Sequence, residues 1–341
     1  MVAKALGNRL LAVVVGTKTI GEARAVMGRV ARVADIVELR VDLLDEALDL
    51  PALLANRPLP VIVTDRAVRE GGHSPRDDRE RLAVLHRAAE LGAEFVDLEW
   101  DEARAEVVDD LKASGARVIV SRHAFDRMPN EVERWAADQA VLGADVAKVV
   151  GMARDPRDVL PILGVLRKAD RPTIAIAMGE AGIASRLLAL RFDRCQLTFA
   201  AYERDQTVAP GQLPIDEMRD GFNARRIGPS TLVYGVLAPT REILLLRRFN
   251  AWFVGHDVDA VAVPFVASAD ALPIMLALRD IPVSGWSIPD ETLQRELAAS
   301  LSDVTPEARR RGLVNSVAVE GNKLNGTWLV SPSDQVEVWA G

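Results

Sequence analysis

The sequence holds one cysteine, Cys195, among 341 residues, which excludes an internal disulfide and any metal site built from several thiolates. Its four histidines, His73, His86, His123 and His256, show no H-x-x-x-H spacing, so no metal is expected. No apolar run approaches the roughly 20 residues that a membrane span requires. The opening MVAKALGNRLLAVVVG runs straight into a polar turn, GTKT, with no cleavage pattern. The expectation is a cytoplasmic protein with no membrane partner. The net charge of −7 comes without a basic stripe, which argues against nucleic acid. No G-x-G-x-x-G is present, so no nicotinamide cofactor is expected. Lysine is scarce too, since arginine carries most of the positive charge and there are only six lysines. One of them, Lys148, stands in GADVAKVVGM, among the valines of what reads as a core strand.

What is present is a long alternation of β-branched runs and amphipathic segments. The runs are LLAVVV (10–15), IVELRVD (36–42), PVIVTDR (60–66), FVDLEW (95–100), RVIVSRH (117–123), DVAKVVGM (145–152), TIAIAM (173–178) and QLTFAAY (196–202). Helical patterns such as RDDRERLAVLHRAAELG fill the gaps, with apolar residues every three or four positions and a closing glycine. Eight strand-helix units predict a (β/α)8 TIM barrel. An open doubly wound sheet is the alternative, but its first strand should lead into a glycine-rich phosphate loop, and GTKT is not one. The length suits one barrel of about 230 residues plus a smaller unit.

A barrel localises the chemistry, because sites in this fold sit at the C-terminal ends of the strands. Glu38 and Arg40 are two residues apart on strand 2, hence on one face. Arg66 ends strand 3, with Glu70 four residues on; His123 ends strand 5; Lys148 lies on strand 6. Ser185 and Arg186 open the helix after strand 7, and APGQ places Gln212 on the last loop. Each of these taken alone has an ordinary structural reading, such as a Glu38–Arg40 ion pair or a strand-end histidine bonded to a carbonyl. Lys148 differs, because lysine is almost never fully buried unless paired. Desolvation and neighbouring arginines would favour the neutral amine, which can attack a carbonyl to form an imine. The protonated imine acidifies the adjacent C–H, for which His123 is a plausible base. Arginines supply forked sites for a carboxylate, and the glutamates and Gln212 can hold hydroxyls. A small, anionic, polyhydroxylated keto acid undergoing elimination or aldol-type cleavage is implied. A class I aldolase and a non-enzymatic binding protein are the other readings.

The segments VELRVD, TDRAVREGG, VDLE, VSRHAF, GADVAK, MGEAGIASR and APGQ, in that order, closely resemble the type I 3-dehydroquinate dehydratases of the shikimate pathway, over residues 8 to 222. The resemblance implies that Lys148 forms a Schiff base with the ketone of 3-dehydroquinate and that His123 moves protons. It implies that Glu70 orients His123 and that Arg186 binds the substrate carboxylate. Glu38, Arg40, Arg66 and Gln212 would grip ring hydroxyls, with Met178 walling the ring. Two positions depart from the family. Val208 stands where a serine is usual, with Thr207 beside it, and Ile176 where methionine is common. Either the hydroxyl contact is lost or Thr207 replaces it.

The last third opens at GFNARRIGPSTLVYGVLAP, a Gly/Pro-marked joint, and divides the chain into 1–224, the dehydratase barrel, and 225–341. The second unit, with strands at TLVYGVLA, VDAVAVPFVA and VSGWSIP and a hairpin turning at GN, resembles the substrate-binding domain of a shikimate dehydrogenase. Its catalytic signature is missing. APTREILL replaces the family's serine-rich loop, SIPDET lacks the lysine of T-I-P-H-K, and TWLV replaces N-T-D, while Asn250 and Asn315 match. A non-catalytic remnant without an NADP domain is expected. It would still fold over 232–341 around the apolar residues of VYGVLA, VDAVAVPFV and LPIMLAL. A homodimer is left open.

Overall fold

A computed structural model describes residues 7–340, so MVAKAL of the opening stretch read for a leader, and Gly341, lie outside it. The first unit runs β1 (Leu10–Val15), α1 (Ile20–Val30), β2 (Ile36–Arg40), α2 (Leu50–Leu54), β3 (Val61–Thr64), α3 (Asp78–Glu90), β4 (Phe95–Glu99), α4 (Ala105–Ala113), β5 (Arg117–Ala124), α5 (Val132–Val141), β6 (Val146–Met152), α6 (Val159–Lys168), β7 (Thr173–Met178), α7 (Ala184–Leu188) and β8 (Leu197–Ala201). Local chemistry sets the helix starts. Thr19 with Glu22, and Asp77 with Glu80, form reciprocal capping boxes at α1 and α3.

The eight strands are parallel in the order β7-β6-β5-β4-β3-β2-β1-β8, which rules out the open doubly wound alternative. Closure between β7 and β8 rests on their N-terminal ends, where the Thr173 N–H donates to the Arg194 carbonyl and the Gln196 N–H to that of Thr173. The eighth unit has no α-helix of its own. A π-helical turn, Glu217–Gly221, stands there and leads into the second unit. Strand β2 ends at Arg40, two residues before the end of its apolar pattern, because Val41–Leu43 turn as a 3-10 helix and Asp42 folds back onto Arg40.

Period-two alternation splits the strand residues into two layers. Val37, Leu39 and Val149 pack outward under the helices. Ile36, Ile62, Phe95, Ile119, Val146, Ile174 and Leu197 fill the barrel interior. Two residues further along the same faces the interior turns polar, with Glu38, Thr64, Asp97, Ser121 and Lys148, all buried. The barrel is therefore plugged with hydrocarbon at its base and lined with charge towards its mouth.

The second unit runs β9 (Leu232–Ala238), α8 (Ile243–Gly255), β10 (Ala260–Val266), α9 (Ala271–Ala277), β11 (Val283–Ser287), α10 (Glu291–Ser300), β12 (Asp303–Val304), α11 (Pro306–Arg311), β13 (Ser316–Glu320), β14 (Lys323–Thr327) and α12 (Pro332–Ala340). Its mixed sheet has the order β10-β9-β11-β13-β14-β12. The expected hairpin is present, with Glu320 opposite Lys323 across Gly321 and Asn322. Tyr234, Phe249, Phe253, Phe265, Trp286 and Trp339 form an aromatic core, and the Tyr234 hydroxyl donates to the Trp339 carbonyl at 3.2 Å. Among the described residues no helix is long and apolar enough to cross a membrane.

Candidate active site

Lys148 is buried at 4% exposure, and its place follows from register. It lies level with Ser121 of β5 and Ile174 of β7, on the inward face of β6. Its Nζ is 2.8 Å from Asp97 Oδ2 and 3.4 Å from Glu38 Oε1, and it sits 4.7 Å from the centre of the Phe199 ring. Its charged neighbours are thus carboxylates, whereas the sequence pointed to arginines. Arg66 reaches the amine only through Asp97, whose other oxygen it holds at 2.9 Å. The Ser121 hydroxyl donates to that same oxygen at 2.6 Å. Burial alone would raise the Asp97 pKa, but Arg66 and Lys148 hold it well below the usual carboxylate range. Glu38 accepts from the Thr64 hydroxyl at 2.9 Å. Arg40 pairs with Asp42, through Nε at 2.8 Å and Nη2 at 2.7 Å, so Glu38 and Arg40 share a face without forming the ion pair considered above.

His123 faces the same space from β5. Its Nδ1 is 2.8 Å from Glu70 Oε2, and that oxygen also accepts the His123 backbone N–H at 3.1 Å. Burial, Arg66 and Lys148 hold the imidazole pKa well below its ordinary value, so the ring is neutral. Burial pushes Glu70 up to about 7 against the pull of Arg66. When Glu70 is ionised, Nδ1 carries the proton and Nε2 is free to accept one. Gly71, at φ 72°, follows Glu70; a Cβ there would lie 2.5 Å from Phe125 Cζ, and only its absence lets Phe125 lie stacked beside the imidazole.

Arg186, 1% exposed, enters from α7. Its guanidinium donates to the carbonyls of Phe199 (3.4 Å) and Pro210 (3.2 Å), and among the described residues it has no carboxylate partner. Gln212 spends its amide oxygen on the backbone N–H groups of Val208 (2.8 Å) and Ala209 (3.2 Å), leaving its NH₂ as the group it can offer.

The structure brings all nine residues singled out above, Lys148, His123, Glu70, Glu38, Arg40, Arg66, Arg186, Gln212 and Met178, to one cavity of about 570 Å³, part of it open to solvent. Ser185 is not there, because its hydroxyl is tied to the Ala177 backbone. Thr207 is exposed and does not line the cavity, which Val208 and Ile176 wall with hydrocarbon instead. The residue the pattern reading missed is Asp97. A signal was available, since Asp97 and Glu99 in VDLE repeat the two-apart spacing of Glu38 and Arg40.

An inward lysine, a neutral histidine and a carboxylate-free arginine around one cavity can support imine chemistry on an acid. A family model for type I 3-dehydroquinase matches residues 11–229. The chain belongs to the type I 3-dehydroquinase family. It is 34% identical over 294 residues to the bifunctional 3-dehydroquinate dehydratase/shikimate dehydrogenase of Arabidopsis thaliana, a chloroplastic protein, covering 83% of this chain and 48% of that one. The chain thus spans about half the length of that relative. The crystal structure of the 3-dehydroquinate dehydratase of Geobacillus kaustophilus superposes on the dehydroquinase barrel with a TM-score of 0.55 and 28% identity, over 62% of this chain and 89% of that chain. The fused dehydroquinate dehydratase and shikimate dehydrogenase of S. pombe shares the fold over 95% of this chain and 64% of its own, with a TM-score of 0.50 and 21% identity.

Proposed function

We propose that the dehydroquinase barrel converts 3-dehydroquinate to 3-dehydroshikimate and water through an imine on Lys148. The observation that carries this reading is that the Lys148 amine, the neutral His123 ring and the carboxylate-free Arg186 guanidinium line a single cavity. Arg186 takes the substrate carboxylate as a fork. The Lys148 amine attacks the ketone, water leaves, and the protonated imine becomes an electron sink. Asp97 and Glu38, against Nζ, hold the cation, and Glu38 exchanges the proton that amine addition releases. His123 Nε2 removes the proton from the carbon next to the imine. The electron pair expels the ring hydroxyl, which takes that proton back and departs as water. Hydrolysis of the imine returns Lys148. Arg40, Arg66 and Gln212 supply donors to ring hydroxyls, Glu38 an acceptor, and Met178 an apolar wall.

We further infer that the second unit, taken as 225–341, transfers no hydride. Asp290 of SIPDET is a helix cap, accepting from the N–H groups of Thr292 and Leu293, and Thr327 of the hairpin bonds Thr305. The compartment we propose is the cytoplasm, in keeping with a single cysteine that is buried.

The test is borohydride reduction in the presence of 3-dehydroquinate, followed by peptide mass spectrometry. A reduced adduct on Lys148, absent together with turnover in Lys148→Ala, is expected. Undiminished adduct in that variant, on another lysine, would sink the assignment. In the same preparation NADP-dependent oxidation of shikimate is expected to be absent, and its detection would restore a dehydrogenase role to the second unit.

A further inference from the structure

Among the contacts between the two units, an ion pair falls on the loop that follows β7. Arg241 lies in the APTR turn after β9, and its guanidinium holds Glu180 with two bonds, Nε to Oε2 at 2.6 Å and Nη2 to Oε1. The Arg241 side chain is only 22% exposed, whereas that of Glu180 is 53% exposed. Glu242 takes φ 46°, so the chain turns sharply just beyond Arg241. This turn is the segment that departs from the serine-rich loop, and nothing in the dehydratase reading so far uses it.

Glu180 belongs to the 179–183 loop, which runs from β7 directly into α7 and Arg186. That loop and the strand 8 loop are locked together. The Gly179 N–H donates to the Pro210 carbonyl at 3.2 Å, and the same carbonyl accepts from Arg186 Nη2. A Cβ on Gly211 would lie 2.4 Å from the Gly179 carbonyl oxygen, so the two loops touch backbone to backbone. Ser185 ties the first turn of α7 to Ala177, and α7 also packs against β10 of the second unit. The loop of Glu180, the Pro210 carbonyl and the Arg186 head group are therefore joined through one set of hydrogen bonds. Arg186 is a cation with no carboxylate of its own, and Glu180 is the carboxylate on its loop.

We propose that Arg241 is a positioning residue for the barrel's reaction: by pairing with Glu180 it neutralises the carboxylate nearest in sequence to Arg186, leaving Arg186 to the incoming substrate's carboxylate. The second unit then acts on the barrel's substrate affinity without any chemistry of its own. Burial, with the Arg241 charge as a second cause, lowers the Arg186 pKa to about 10, in keeping with the two guanidinium groups sensing each other. The proposal rests on the reading of Arg186 as the carboxylate site.

The experiment is steady-state kinetics of the full chain with 3-dehydroquinate, folding being checked by circular dichroism. Arg241→Gln leaves Glu180 unneutralised, and KM is expected to rise about fivefold, the low end for coupling between sites, with kcat held within about twofold. Glu180→Gln removes the competing charge, and its KM is expected to stay within about twofold of wild type. The double variant, with neither charge, should return most of the lost affinity, and Arg241→Lys should retain most of it. If Arg241→Gln fails to fold, a KM raised about fivefold or more over wild type in the folded double variant or in Glu180→Gln overturns the proposal by itself. An unmoved KM in Arg241→Gln overturns the proposal, as does a double variant as weak as that single one, or a Glu180→Gln as weak. Wild-type chain that neither turns over nor traps substrate with borohydride refutes the imine reading instead.

Discussion

The two units bury polar side chains in different ways. At the barrel mouth Lys148, Asp97, Glu38, Arg66 and Ser121 bond chiefly to one another, and what remains faces a cavity: an amine, a ring nitrogen on His123 and the Arg186 fork. In the second unit the amides of buried Asn250 and half-buried Asn315 bond to backbone. Asn250, in α8, brackets Ala262 on the edge strand β10, donating to its carbonyl at 3.2 Å and accepting its N–H at 2.8 Å. Asn315 brackets Leu329 in the same way, at 2.7 and 2.9 Å. Each asparagine satisfies one backbone N–H and one carbonyl, for Asn250 at Ala262 on an edge strand, which is a structural task. The comparison teaches that burial of a polar group does not mark chemistry. A face on a cavity does: an amide whose donor and acceptor are both spent on backbone is committed, whereas Lys148, His123 and Arg186 line a cavity and can turn to a substrate.

The largest effect expected to sharpen this contrast is His123→Ala, which should lower kcat by roughly 10² to 10⁴, the range of one general acid-base group. Borohydride trapping on Lys148 should persist in it, because imine formation needs the amine and not the ring; loss of trapping would merge the two roles. Arg186→Lys keeps the charge but loses the fork, and hydrogen bonds to charged groups contribute about 1.5–3 kcal/mol each. KM is therefore expected to rise roughly 10- to 100-fold, and an unchanged KM would move the carboxylate to Arg66.

The pH profile tests the Glu70–His123 pair. Below the Glu70 pKa of about 7 its carboxyl is protonated and donates to Nδ1, so the ring proton sits on Nε2 and cannot be displaced by one from substrate. Above it the carboxylate accepts from Nδ1–H and Nε2 becomes the base. Plotted against pH, kcat/KM should rise through about 7, and Glu70→Gln should flatten that limb. A limb unchanged in the variant would assign it to another group. The smallest effect on turnover is expected from Asn250→Ala. It should lower stability by about 1–3 kcal/mol through unpaired backbone groups of β10, read as a fall in Tm, while kcat changes little. A large fall in kcat without loss of stability would give the second unit a direct part in the chemistry.

Much of the fold was legible in the sequence because its signals are local. Strand residues alternate with period two, so the inward faces of Glu38 with Arg40 and of Val146 with Lys148 follow from spacing alone. The capping boxes at Thr19 and Asp77 set helix starts within four residues. Residue type restricted the chemistry further, since a buried lysine beside histidine and arginine has few uses. Partnership between strands was not legible. Lys148 meets Asp97 from 51 residues away and Glu38 from 110, and only barrel closure and strand register bring these side chains level. Arg241 of the second unit likewise came to rest on Glu180 from 61 residues away. Periodicity determines which face a side chain takes; which other face it meets is decided when the sheet closes and the second unit docks, because contact depends on the summed geometry of every strand and loop between them.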